Sequence, residues 1–269
     1  MKTGVSTASL FMRANNEDAL PILDGLGMGC AEVFLTSFSE YDDGFARLLN
    51  ERKGNLQITS VHDLNTQFEP QLFSHCERVK KDAFVWLDKV LSAGRILGAP
   101  LYTFHGTARV KRASRSGNSD DFARMGKTLL EIMQRCENYG LSLCLENVEW
   151  ATYNRPSVFS ALKEYAPDLK GVLDVKQARI SGYDYREYLT EMGNSIALVH
   201  ISDVDERGKI VLPSQGIFDF NELVLRLKDV GFDGALLVEV YKESYTDIAD
   251  LKRACEYVDE ILYKNNALR

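Results

Sequence analysis

The chain has no C-x-x-C pair, no apolar stretch of membrane-spanning length, no surplus of positive charge and no glycine-rich phosphate loop after its first apolar run. Each absence removes a class of protein. The five cysteines, Cys30, Cys76, Cys136, Cys144 and Cys255, are scattered and odd in number, so neither a disulfide framework nor a thiolate zinc knuckle is expected. Cys144, set between Leu143 and Leu145, reads as a small buried hydrophobe. No run approaches the roughly 20 apolar residues that cross a bilayer, and the opening MKTGVSTASLFMRANNED lacks the apolar core of a signal peptide. The expected compartment is therefore the cytoplasm, with no membrane partner. With 32 Lys and Arg against 39 Asp and Glu, the net charge of −7 repels a phosphate backbone and counts against a nucleic-acid partner. The missing G-x-G-x-x-G counts against a doubly wound dinucleotide-binding sheet. No Pro/Gly/Ser-rich linker divides the 269 residues, which are 45% hydrophobic and 26% charged, so 1–269 reads as one globular domain.

What the chain does contain is a rhythm. Short apolar runs alternate with longer amphipathic stretches, the pattern of repeated βα units. Eight strands are expected, near Val5–Leu10, Ala31–Leu35, Gln57–His62, Leu101–His105, Leu141–Glu146, Gly171–Asp174, Ala197–Ile201 and Ala235–Glu239. Helical spacing of three and four marks Glu17–Leu26, Cys76–Leu97, Asp121–Tyr139, Asn221–Val230 and Ile248–Tyr263. Gly27, Gly98, Gly140 and Gly231 follow four of these stretches as helix stops. Eight such units with right-handed crossovers close into an α/β (β/α)8 barrel, whose active sites lie at the C-terminal ends of the strands.

Those ends carry the chemistry. Glu146, Asp174, His200 and Glu239 each stand at or near the end of one of the last four runs, LSLCLE, LKGVLD, IALVH and ALLVE. A lone carboxylate or imidazole at such a place usually caps a helix or satisfies a loop. Three carboxylates converging on neighbouring strands repel one another unless a cation lies between them. Three oxygen donors and one imidazole suit one divalent ion, Mn2+, Mg2+, Co2+ or Zn2+, with open positions for two adjacent substrate oxygens. Such an ion polarises a carbonyl and acidifies the neighbouring carbon, and Glu146 and Glu239 could then act as base and acid on opposite faces. Other strand ends carry Glu32, His62 and His105. The two histidines could join Glu146 around a second ion, contact a substrate hydroxyl, or satisfy loop carbonyls. The basic run RVKRASRSG, with Arg109, Lys111, Arg112 and Arg115, reads as a solvated loop or as an anion site at the same end. Lys176 and Arg207 are further candidates for substrate contact, and each reads equally as an exposed charge. His75 reads as a surface residue.

The segments LENVEW, GVLDVKQA, VHISD, LPSQGIFDF and LLVEVY, in that order, together with AEVF, SVHD and TFHG in the first half, resemble the xylose-isomerase-like barrel superfamily. That superfamily includes sugar isomerases, sugar epimerases and apurinic endonucleases. The resemblance implies that Glu146, Asp174, His200 and Glu239 hold one metal and that Glu146 and Glu239 exchange a proton through an enediolate. It also implies that Arg207 contacts substrate oxygens.

Two positions depart from the superfamily pattern. A histidine common three residues after the strand-six aspartate is replaced by Gln177, which takes its place as a substrate-contact candidate, and the usual Pro-Gly-Glu-Gly reads Pro213, Ser214, Gln215, Gly216. The endonucleases also use an Asp-x-His after strand seven, and here no further histidine follows His200. The expectation is a metal-dependent isomerase or epimerase of a sugar or sugar phosphate. The alternatives are an inosose-type dehydratase, an apurinic endonuclease, or a sugar-binding barrel with altered catalysis. A homo-oligomer is compatible with the sequence, and no apolar stripe singles out an interface.

Overall fold

The computed structural model describes residues 1–64, 68–108 and 119–267, without the side chains of 119–121 and 267. In chain order the elements are β1 (Lys2–Ser6), α1 (Asn16–Gly25), β2 (Cys30–Leu35), α2 (Asp43–Arg52), β3 (Gln57–Asp63), α3 (Glu77–Leu97), β4 (Leu101–Phe104), α4 (Ser119–Asn138), β5 (Ser142–Glu146), α5 (Ser157–Lys163) and β6 (Lys170–Asp174). There follow α6 (Val175–Ile180), α7 (Tyr185–Met192), β7 (Ile196–Ile201), β8 (Asp203–Val204), β9 (Ile210–Val211), α8 (Phe220–Asp229), β10 (Ala235–Val238) and α9 (Ala249–Ala267). Strands β1 to β7 and β10 close a parallel barrel in the order β1-β10-β7-β6-β5-β4-β3-β2, as the sequence rhythm implies. Among the described residues no helix is long and apolar enough to cross a membrane.

The barrel interior is layered by the two-residue period of its strands. Cys30, Cys144, Val172, Leu198, Ala235 and Leu237 form an apolar plug inside the barrel, separate from the larger core between the sheet and its helices. Two residues beyond Cys30, Cys144, Val172, Leu198 and Leu237 stand Glu32, Glu146, Asp174, His200 and Glu239, all on the same inward face. A dry floor therefore lies directly beneath a polar mouth. Register fixes the neighbours: Asp174 pairs with His200, and Leu237, two residues before Glu239, also pairs with His200.

The four helix-stop glycines take φ of 77°, 72°, 81° and 75° at Gly27, Gly98, Gly140 and Gly231, the left-handed conformation that expectation required. Three features differ from the sequence reading. The first strand ends at Ser6, because the Ser6 hydroxyl accepts from Ala8 N and turns Thr7–Leu10 into a 3-10 segment. Helices α2, α5, α6 and α7 fall where the repeat requires crossovers, but the sequence pattern sets them no bounds: α5, α6 and α7 span 7, 6 and 8 residues, too short to show periodicity, and α2 buries only Ala46 and Leu49. A two-stranded antiparallel hairpin, β8 with β9, rises from the mouth after β7. The basic residues Arg109, Lys111, Arg112 and Arg115 lie outside the described residues.

Candidate metal centre

The four residues expected to gather do gather. One donor atom from each of Glu146, Asp174, His200 and Glu239 falls within a cluster whose members all lie within 4.8 Å of one another. His200 Nδ1 is 3.0 Å from Glu146 Oε1 and 3.1 Å from Glu239 Oε2. Glu146, Asp174 and His200 are 2%, 1% and 1% exposed. Glu146 Oε2, Asp174 Oδ2 and Glu239 Oε2 are buried oxygens without a hydrogen bond. Each stranded carboxylate oxygen is costly unless a cation meets it, and three of them around one imidazole nitrogen fit a divalent ion. The donor set therefore suits the group that the sequence implies.

The backbone explains why these side chains hold still. Asp174 is the N-cap of α6: its Oδ1 accepts from Gln177 N at 2.8 Å, which leaves Oδ2 for the cluster. Asn147 brackets the same residue, accepting from Asp174 N at 2.8 Å and donating to Asp174 O at 2.9 Å. Gln177 is spent locally as well, since its Oε1 accepts from Glu149 N at 3.2 Å. Lys176 turns inward, 4% exposed, and donates to Glu239 Oε1 at 3.0 Å. Arg207 sits at the exposed turn between β8 and β9, and its guanidinium makes no hydrogen bond or ion pair with a described residue. His75 is exposed, and Cys144 is buried as expected.

His62 and His105 stand beside the quartet. Their Nε2 atoms are 2.8 Å apart, and both approach Glu146 Oε2, at 3.7 Å and 3.4 Å. Their charges differ. Burial opposes a charge on His62, but Glu32, Glu146 and Glu239 outweigh it and raise the pKa to about 9. Burial and the neighbouring His62 charge push His105 down to about 4. A protonated His62 therefore donates to a neutral His105. Burial likewise opposes charge on Glu239, yet His200 and Lys176 hold its pKa near about 2. Asp174 is raised by burial to about 6, with Lys176 offsetting part of the rise.

Sequence reading assigned no role to four residues that support this arrangement. Glu32, fully buried in β2, accepts from Ser6 Oγ, Ser60 Oγ and Thr103 Oγ1 at 2.9, 2.6 and 2.8 Å. Its Oε1 also lies 3.0 Å from His200 Nε2 and 3.3 Å from His62 Nδ1. The signal was present, a carboxylate inside the apolar strand CAEVFL, but the hydroxyls that satisfy it come from three other strands. Glu69 Oε2 accepts from the backbone N–H of His105 and of Gly106 at 2.9 and 3.2 Å. Beneath it, Tyr102 Oη lies 2.8 Å from Asp63 Oδ1 and 2.7 Å from Glu69 Oε1. Burial raises both acids, Glu69 to about 7.

A sequence profile described as "Xylose isomerase-like TIM barrel" matches residues 23–261. The chain belongs to that family. Solved structures agree on the fold: a D-tagatose 3-epimerase-like protein is 20% identical, with all of both chains covered and a TM-score of 0.81. A D-psicose 3-epimerase from Clostridium cellulolyticum H10, solved with D-tagatose, is 17% identical over 99% of each chain with a TM-score of 0.75. An IolI protein with a bound zinc atom is also 17% identical, over 98% of this chain and 97% of that one, with a TM-score of 0.75. Within the family's barrel, the mouth of this chain also has a cavity of about 650 Å3 beside Lys176 and Ser202, lined further by Arg179, Tyr183, Ile217 and Phe218.

Proposed function

We propose that this protein is a divalent-metal-dependent isomerase or epimerase of a sugar or sugar phosphate, moving a proton at a carbon next to a carbonyl. The observation that carries the reading is the cluster of one imidazole and three carboxylates at the barrel mouth, each carboxylate with a buried oxygen that has no hydrogen bond. Epimerases of ketohexoses share the barrel, which supports a small sugar as substrate.

Glu146, Asp174, His200 and Glu239 would hold the ion, which supplies Lewis-acid polarisation of the carbonyl and offsets negative charge on the substrate. His200 would hold the ion as the neutral imidazole. Everything else is done by side chains. Glu146, whose Oε2 lies 3.4 Å from His105 Nε2, would take the proton from the α carbon and leave an enediolate. Glu239, on the far side of the cluster, would pass a proton drawn from solvent to the opposite face of the enediolate, and Glu146 would release the abstracted proton to solvent, so that both carboxylates end ionised. His62 and His105 present their ring edges to substrate hydroxyls, and the Trp150 ring, 5.5 Å from His105, offers an apolar face for the sugar carbons. Lys176 and Gln177 border the substrate space, and Arg207 contacts oxygens at the far end of the substrate. His62, His105 and Glu146 also form a donor set for a second ion. Because His62 carries a proton, which can be donated to a hydroxyl but blocks coordination, one ion is the count this reading adopts.

Incubation of the Mn2+-loaded protein with ketohexoses in deuterated water tests the mechanism. The wild type should incorporate solvent deuterium at the α carbon, and Glu146→Gln and Glu239→Gln should each slow incorporation by roughly 100-fold or more. Incorporation at the wild-type rate in both variants would overturn it.

A further inference from the structure

Lys176 is, among the described residues, the one lysine or arginine with a fully buried side chain. Its ammonium lies 3.0 Å from Glu239 Oε1, 3.5 Å from Glu239 O and 3.5 Å from Asp174 Oδ2, and 5.1 Å from the centre of the Tyr241 ring. Glu239 thus divides its two oxygens: Oε1 faces the ammonium, and Oε2 faces His200 Nδ1 at 3.1 Å. Asp174 Oδ2, one of the oxygens left for a metal, is also the one nearest Lys176. The ammonium and a divalent ion would share the same two carboxylates from opposite sides.

We propose, building on the metal-site reading above, that Lys176 is a built-in counter-cation of the metal centre. It fixes Glu239 before the ion arrives and weakens the hold on that ion, so that the site exchanges its metal instead of trapping it. Charge favours keeping both cations: with Glu146, Asp174 and Glu239 ionised, one ammonium and one divalent ion bring the cluster to zero. Burial excludes the water that would otherwise screen the two cations from each other. The enclosed ammonium also gives Asp174 and Glu239 a partner when no ion is present, which preserves their geometry for the next one.

The test is a Mn2+ titration without substrate, followed by calorimetry, on wild type, Lys176→Met and Lys176→Arg, with thermal midpoints taken in chelator and in Mn2+. Lys176→Met should bind Mn2+ at least tenfold more tightly than wild type and melt lower in chelator, with the loss recovered in Mn2+. Lys176→Arg, which keeps the charge, should stay within a few-fold of wild type. If Lys176→Met does not fold, Lys176→Gln, with an amide to hold Glu239, should shift affinity in the same direction. Equal or weaker binding in the neutral variants overturns the counter-cation role while leaving the metal reading intact. Binding by Lys176→Met but not by wild type supports the role in its strongest form. Binding by none of the chains overturns both.

Discussion

Glu32 Oε1 lies 3.0 Å from His200 Nε2, so a carboxylate on β2 meets an imidazole on β7 at the ring nitrogen other than the one facing Glu146 and Glu239. The same oxygen is 3.3 Å from His62 Nδ1 on β3. One buried charge therefore sets the ring orientation of two histidines. It directs His200 Nδ1 toward Glu146 and Glu239, and His62 Nε2 toward His105. Carboxylates placed this way fix the tautomer of a ligating histidine and raise its basicity.

Glu32→Gln should fold, since the amide can still meet Ser6, Ser60 and Thr103, but should lower divalent-ion affinity by roughly 10- to 100-fold. Isothermal titration with Mn2+ measures this directly. Wild-type affinity in a folded Glu32→Gln protein would remove the orienting role.

Divalent ions should stabilise the protein. At about 100 times the dissociation constant, linkage contributes roughly 2.7 kcal/mol, or on the order of 5–10 °C in the melting midpoint of a chain of this size. Chelator should reverse the gain, and His200→Ala should abolish it. A midpoint that ignores Mn2+, Mg2+, Co2+ and Zn2+ alike would contradict the metal site.

The acid pair below His105 should leave a signature in stability against pH. Burial lifts Glu69 from its ordinary 4.5 to about 7, so between those values the folded protein holds a proton that the unfolded chain has released. The stabilisation is complete below pH 4.5 and is lost as pH rises through about 7. Glu69→Gln carries no titrating proton there. Its stability relative to wild type should therefore rise across that window, by on the order of 3 kcal/mol if the full shift is realised. Urea unfolding at pH 5 and pH 8 on both proteins gives the comparison, and a parallel dependence in the two would refute the shifted acid.

The barrel floor sets a steric limit at Gly4. A Cβ there would lie 2.4 Å from Cys30 O and 2.6 Å from Cys30 Sγ, one of them backbone that cannot step aside. Gly4→Ala should cost about 1–3 kcal/mol in chemical denaturation without changing the residues at the mouth. An unchanged unfolding midpoint would mean that β1 and β2 can separate at no cost.

The sequence by itself determined the repeat, the barrel and the convergence of Glu146, Asp174, His200 and Glu239 as a candidate metal site. Strand periodicity is local: Leu143 to Glu146 or Leu237 to Glu239 shows its polar terminus without reference to any other segment. The helix stops at Gly98 and Gly140 are equally local, because a left-handed residue is a property of one position. Short elements such as α6 escaped because six residues do not complete two turns, and Ser6 ended β1 through a hydroxyl whose direction no pattern records.

Only the tertiary structure decided what the remaining polar residues do. Glu32 is satisfied by hydroxyls on β1, β3 and β4, and Glu69 reaches backbone amides 36 and 37 residues away, so neither role is written in its own neighbourhood. Lys176 read as a substrate contact from its distance to Asp174 along the chain. Folding brought Glu239, 63 residues later, to 3.0 Å from its ammonium. In a closed barrel, partners come from strands that are adjacent in space and distant in sequence, and the pairing of charges there follows the geometry of closure.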